Sequence, residues 1–186
     1  MIENGVRFCR GLNIGVFCSA NDNIDKAYFD KARELGEWMG RNGHTLVFGG
    51  CDMGLMEHVA RACHDAGGRT IGVVPSIIEE HGHVSNYADV QIPCDNLSDR
   101  KEILTAYSGV AVALPGGIGT LDELFTVAAS ATIGYHGKRV VLYNINGFWD
   151  SLIACLDDLQ ARGMIRGDYH KYIKVADSLD GVINCL

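Results

Sequence analysis

The chain has 186 residues, 47% of them hydrophobic and 21% charged, with a mean hydropathy of +0.06. That balance suits one compact domain, and no apolar run approaches the ~20 residues that a membrane-spanning helix needs. A net charge of −7 and a pI near 5.4 argue against a general binder of nucleic acid or anionic membranes, but a local nest of backbone N–H groups can still hold a phosphorylated small molecule.

The first residues, Met1-Ile2-Glu3-Asn4-Gly5-Val6-Arg7, lack the basic start and apolar core of a secretory signal, which predicts a cytoplasmic protein. Short apolar runs then alternate with amphipathic stretches, the pattern of an α/β fold with a mostly parallel sheet. Strands are predicted over 13–18, 45–48, 70–74, 89–92, 109–114 and 139–143, with an extended edge segment over 172–175. Helices are predicted over 25–42, 55–66, 98–108, 120–133 and 148–162, with a short one from Leu179. Asp25 reads as an N-cap, because Ala27, Phe29, Ala32, Leu35 and Trp38 or Met39 follow at helical spacing. Asn42-Gly43 and Gly67-Gly68 end the first two helices. No linker, repeat or low-complexity stretch divides the chain, so 1–186 reads as a single domain. The helix over 120–133 is apolar on more than one face (Leu121, Leu124, Phe125, Val127, Ala128, Ala131). That is more than packing on a sheet requires, and either a homodimer or deep burial within the monomer would account for it.

Seven cysteines are scattered with no C-x-x-C pair, and several, such as Cys18 and Cys155, sit inside apolar runs. They read as small buried hydrophobes of a reducing compartment. The seven histidines show no metal-ligand spacing; His81-Gly82-His83 could hold a metal but reads as a solvated loop. No metal and no cofactor are expected.

Three loops follow predicted strands: Ser19-Ala20-Asn21-Asp22-Asn23, Gly49-Gly50-Cys51-Asp52-Met53-Gly54-Leu55-Met56, and Pro115-Gly116-Gly117-Ile118-Gly119-Thr120. In an open α/β sheet, ligands bind beyond the C-terminal strand ends, where all three fall. The glycines at 49–54 read equally well as tight turns needing positive φ. The loop at 115–120 is more specific. An apolar strand ends in proline and glycines, and a helix then begins with free N–H groups and a partial positive charge. Thr120 adds a hydroxyl donor, so a phosphate is the natural ligand. Glu123, about one turn further, would repel phosphate and fits better as a group that touches a sugar hydroxyl or handles a proton. No Walker A loop and no G-x-G-x-x-G after the first strand is present, which disfavours ATP hydrolysis and dinucleotide redox chemistry. Upstream, Ser98 or Asp99 can cap a helix whose first turn carries Arg100 and Lys101, where the helix dipole disfavours cations. The pair answers either an anionic ligand or nearby carboxylates, Asp99 and Glu102 included.

Taken in order, Gly-Gly-x-x-x-Gly-Leu-Met at 49–56, Arg100-Lys101 and Pro-Gly-Gly-x-Gly-Thr-x-x-Glu at 115–123 resemble the LOG ("Lonely guy") family of cytokinin riboside 5′-monophosphate phosphoribohydrolases, once labelled lysine decarboxylases. The resemblance covers roughly residues 12–165. It implies a Rossmann-like three-layer α/β/α fold, a homodimer, and hydrolysis of a nucleoside 5′-monophosphate (a cytokinin riboside monophosphate or AMP) to free base and ribose 5-phosphate. It also implies that Arg100 and Glu123 are catalytic and that Lys101, Gly116, Gly117, Ile118, Gly119 and Thr120 contact the nucleotide, with Ser19, Gly49, Gly50 and Met56 completing the substrate site. The chain departs from the family pattern at three places. Cys18-Ser19-Ala20-Asn21 replaces Cys-Gly-Ser-Ser, and Leu97-Ser98-Asp99 precedes Arg100 where Met-His-x is usual. Gly82, within Glu79-Glu80-His81-Gly82-His83, falls where many members place a substrate-binding Glu; Glu80 could substitute only if the loop shifts. These departures cluster where the base would sit. The competing expectation is a non-catalytic nucleotide or cofactor carrier of the same fold, akin to molybdenum-cofactor carriers. Lysine decarboxylation is excluded by the need for pyridoxal phosphate on a Schiff-base lysine in a much larger chain.

Overall fold

The structure is a computed structural model that describes residues 11–186. Cys9 lies outside the described residues. Seven strands, β1 (Asn13–Phe17), β2 (Thr45–Phe48), β3 (Arg69–Pro75), β4 (Val90–Cys94), β5 (Val110–Ala113), β6 (Val140–Tyr143) and β7 (Ile173–Ala176), form one sheet in the order β4-β3-β2-β1-β5-β6-β7. Every pairing is parallel. Both faces of the sheet are therefore covered by helices, which is why the central strands read as continuous apolar runs rather than alternating ones.

Side chains alternate between two cores. Ile14, Val16, Leu46, Phe48, Val112 and Val141 pack against α1 (Lys26–Arg41), α2 (Gly54–Asp65) and α7 (Leu179–Cys185). Phe17, Val47, Val73, Ala111 and Leu142 pack on the other side against α4 (Leu97–Tyr107), α5 (Ile118–Thr132) and α6 (Asp150–Ala161). The result is the three-layer Rossmann-like arrangement expected from the sequence. Asp25 caps α1, its carboxylate accepting from the N–H of Ala27 at 2.9 Å. Gly43 and Gly67 follow the C-caps of α1 and α2 with φ of +69° and +85°.

Three local expectations are corrected. The segment after β3 is a one-and-a-half-turn helix, α3 (Ser76–Glu80), where the sequence suggested only loop. The cap of α4 is Asn96, whose side-chain oxygen accepts from the N–H groups of Ser98 and Asp99, rather than Ser98 or Asp99. Cys155 is exposed, because the helical turn of α6 carries it away from the sheet despite its apolar neighbours; Cys18, Cys51, Cys63 and Cys94 are buried thiols. Among the described residues no helix is long and apolar enough to cross a membrane.

Candidate active site

The strand order reverses between β1 and β5, whose register pairs Val16 with Val112 and Phe17 with Ala113. Chains leaving such a switch point diverge to opposite faces and open a crevice beyond the strand ends. Backbone hydrogen bonds join the three loops there. The N–H of Ser19 donates to the carbonyl of Pro115 at 3.1 Å, and that of Leu55 donates to the carbonyl of Ser19 at 2.9 Å. The N–H of Gly54 donates to the Asp22 carboxylate at 2.9 Å.

A cavity of about 320 Å³ results, small for a ligand site but of the right order for a sugar phosphate. The first loop contributes Cys18, Ser19, Ala20 and Asn21 to its wall, and α2 contributes Met56. The opposite wall is Gly117, Gly119, Thr120 and Glu123 at the start of α5, with Arg100 reaching in from α4. No side chain caps α5, whose N-cap is Gly117, so the N–H groups of its first turn lack intrahelical partners. A Cβ on Gly117 or Gly119 would meet nothing within 4 Å, so each glycine leaves open space in the cradle. Thr120, 3% exposed, closes its floor.

Glu123 lies one turn along α5, on the same side of the helix as Gly119 and Thr120. It is 7% exposed, and burial lifts its carboxyl from 4.5 to about 7, against the Arg100 cation, which pulls the other way. Asp122 adds to the rise and Lys101 opposes it. Arg100 Nη1 stands 3.7 Å from Glu123 Oε1, an ion pair just beyond hydrogen-bonding distance. Its Nη2 donates to the carbonyl of Gly49 at 2.9 Å, and its Nε is buried without a hydrogen-bond partner. Glycine at 49 is what permits this approach, since a Cβ there would sit 1.8 Å from Nη2. The Cys18 thiol at the base of the cavity is pushed well above its ordinary pKa by burial and then by Glu123, which makes it a packing group rather than a nucleophile.

The structure thus brings Ser19, Met56, Arg100, Gly117, Gly119, Thr120 and Glu123 together. Five other expected residues fall outside the cavity wall. Lys101 turns away and pairs with Asp122, Nζ to Oδ1 at 2.8 Å. Ile118 is 87% exposed, and Gly50 and Gly116 sit in the turns without lining the cavity. Gly49 acts through its carbonyl. Glu79 and Glu80 lie on α3, which contributes nothing to the cavity, and His83 is exposed beside Asp52. Cys18 and Ala20, not singled out from sequence, line the site because they directly extend β1. A larger cavity, about 670 Å³, lies on the other side of α5, where Phe125, Ile133, Leu159 and Met164 form an apolar groove. Its lining carries no carboxylate, whereas the smaller cavity sets Glu123 opposite Arg100.

A family model described as "Possible lysine decarboxylase" matches residues 56–186. Despite that description, no lysine lines the cavity among the described residues, so a Schiff base has no nucleophile there. A probable cytokinin riboside 5′-monophosphate phosphoribohydrolase of Oryza sativa subsp. japonica is 34% identical over 95% of this chain and 78% of its own length. A cytokinin riboside 5′-monophosphate phosphoribohydrolase of Arabidopsis thaliana is 36% identical over 82% of this chain and 71% of its own. Among solved structures, the Moco carrier protein of Chlamydomonas reinhardtii superposes with a TM-score of 0.70 at 27% identity, covering 95% of both chains. With the family model spanning most of the chain and such relatives aligned along nearly all of it, this protein belongs to the LOG phosphoribohydrolase family.

Proposed function

We propose that this protein hydrolyses the N-glycosidic bond of a nucleoside 5′-monophosphate, a cytokinin riboside monophosphate or AMP, to free base and ribose 5-phosphate. The observation that carries this reading is the buried Glu123 carboxyl, poised near neutrality, facing Arg100 across a cavity whose far wall is an uncapped helix N-terminus. The 5′-phosphate takes the first-turn N–H groups of α5 and the Thr120 hydroxyl. The ribose then spans toward Glu123. As the C1′–N bond breaks, its electron pair leaves with the base and positive charge develops at C1′ and the ring oxygen. The Glu123 carboxylate stabilises that charge and takes a proton from the water that attacks C1′. Arg100 fixes the carboxylate and compensates negative charge on the departing base, which takes its proton from solvent while Glu123 returns the accepted proton to solvent.

The resemblance to Moco carriers supports a second reading, a binder without chemistry. Glu123 argues against it, because a pure anion site has no use for a buried carboxylate beside the phosphate cradle. A homodimer is part of the proposal. The face of α5 remote from the sheet is not buried in the monomer, since Phe125 is 38% and Ile133 67% exposed beside Met164 at 71%. The decisive experiment incubates pure protein with AMP and with N6-isopentenyl-AMP and measures free base. Release from one or both is expected, falling at least ~100-fold in Glu123→Ala. No release from either, or unchanged release in the variant, refutes the reading.

A further inference from the structure

Among the described residues the Arg100 guanidinium makes one hydrogen bond, to the carbonyl of Gly49. What fixes that carbonyl therefore fixes the guanidinium. The turn that carries it is unusual: Gly50 has a φ of +72°, in the left-handed region. A second segment, between α3 and β4, is laid along the same turn. The N–H of Ser85 donates to the carbonyl of Gly50 at 2.9 Å, the N–H of Asp52 to that of His83 at 3.1 Å, and Val84 forms an antiparallel bridge with Cys51. Besides the exposed His83–Asp52 contact at 3.1 Å, a buried side chain ties the segment down. Ser85 is wholly buried, and its hydroxyl donates to the carboxylate of Glu57 in the first turn of α2 while accepting from the N–H of Tyr87 at 3.2 Å. A hydrogen bond to an ionised carboxylate is among the strongest available to a hydroxyl.

We propose that Ser85 and Glu57 are positioning residues for Arg100: their contact clamps residues 83–85 onto the Gly49–Cys51 turn, and that turn places the guanidinium opposite Glu123. The Ser85–Glu57 bond is the buried side-chain contact of this clamp, and removing it leaves the backbone contacts with less support. Neither residue lines the cavity. The kinetic consequence rests on the hydrolysis proposed above, but the geometric one does not.

Four groups bear on the Glu123 carboxyl: Arg100 from α4, Lys101 beside it, Asp122 on its own helix and the Cys18 thiol from the first loop. Of these, only Arg100 bonds to the clamped turn, and it holds the carboxyl down. Loosening the clamp therefore raises the Glu123 pKa. Removing the Glu57 charge alone would lower it slightly, so an upward shift reports Arg100 and not the lost charge.

Steady-state kinetics on Ser85→Ala and Glu57→Ala should show kcat lower by about tenfold, KM within about twofold, and the pH midpoint of kcat/KM moved upward. The double variant should be no worse than either single one. Glu57→Gln keeps an acceptor for the hydroxyl and should restore kcat. Unchanged kcat and pH midpoint in a folded Ser85→Ala protein overturn the proposal. If Ser85→Ala does not fold, the Glu57→Ala and Glu57→Gln pair makes the same comparison. If the wild type releases no base from any nucleotide, the hydrolysis reading fails by itself. A ¹³C-NMR titration of the Glu123 carboxyl in wild type and Ser85→Ala then decides the clamp: a higher pKa in the variant supports it, and identical curves overturn it.

Discussion

Replacing Glu123 by glutamine makes the cost of its burial measurable without substrate. In the unfolded chain the carboxyl titrates near 4.5, and in the folded protein near 7, chiefly because burial penalises the charged form. Between those values the folded protein holds the proton more tightly than the unfolded one, so stability falls as pH rises through the interval. The displacement corresponds to about 3 kcal/mol, fully present as a penalty above pH 7 and absent below about pH 4.5. Glutamine has the same shape and does not titrate. It leaves Arg100 without its counter-ion, but arginine stays charged throughout, so that loss is a constant offset. Urea unfolding at fixed protein concentration, at intervals from pH 4.5 to 8, gives both curves. The wild type should lose about 3 kcal/mol relative to Glu123→Gln across the range. Curves parallel to within about 0.5 kcal/mol would show that the carboxyl is not perturbed, and the proton-handling role would lose its basis.

Other predictions follow from the same geometry. Gly49→Ala drives a methyl into the Arg100 guanidinium and should lower kcat by ~100-fold or more while ribose 5-phosphate binding, read by calorimetry, changes little. Gly117→Ala fills open space in the phosphate cradle and should weaken ribose 5-phosphate binding by about tenfold with thermal stability nearly unchanged, as should Thr120→Val through loss of its hydroxyl. Phe125→Asp places a charge in the apolar groove and should convert a dimer to a monomer by light scattering.

The sheet was legible because apolar runs buried on both faces have nothing else to be; β2 has the expected bounds, and the other strands differ by one or two residues at their ends. The α3 helix was not legible, since five residues are too short to display a period. The α4 cap was misplaced because Asn96, Ser98 and Asp99 are all good caps within four residues, and only the bonds distinguish them. In the site, adjacency in sequence does not mean a shared direction. Successive residues on a helix point about 100° apart: Arg100 reaches the cavity while Lys101 turns to Asp122, and Ile118 faces outward while Gly119 and Thr120 line the wall. The role of Gly49 as a carbonyl anchor had no sequence signature beyond its glycine. The Ser85–Glu57 contact joins residues 28 apart with no motif, and no period could have found it.

The same helix, α5, carries the cradle in its first turn, Glu123 at the next and the exposed apolar groove along its middle. In the proposed dimer, catalytic alignment and self-association would therefore be mechanically geared. A rotation of α5 about its own axis by about 20° carries a Cα some 0.8 Å, given a helix radius of about 2.3 Å. That is nearly the whole difference between the present 3.7 Å separation of Arg100 and Glu123 and a charge-assisted hydrogen bond. Whatever seats against Phe125 and Ile133 thus holds a lever on the distance between Arg100 and Glu123 across the same helix.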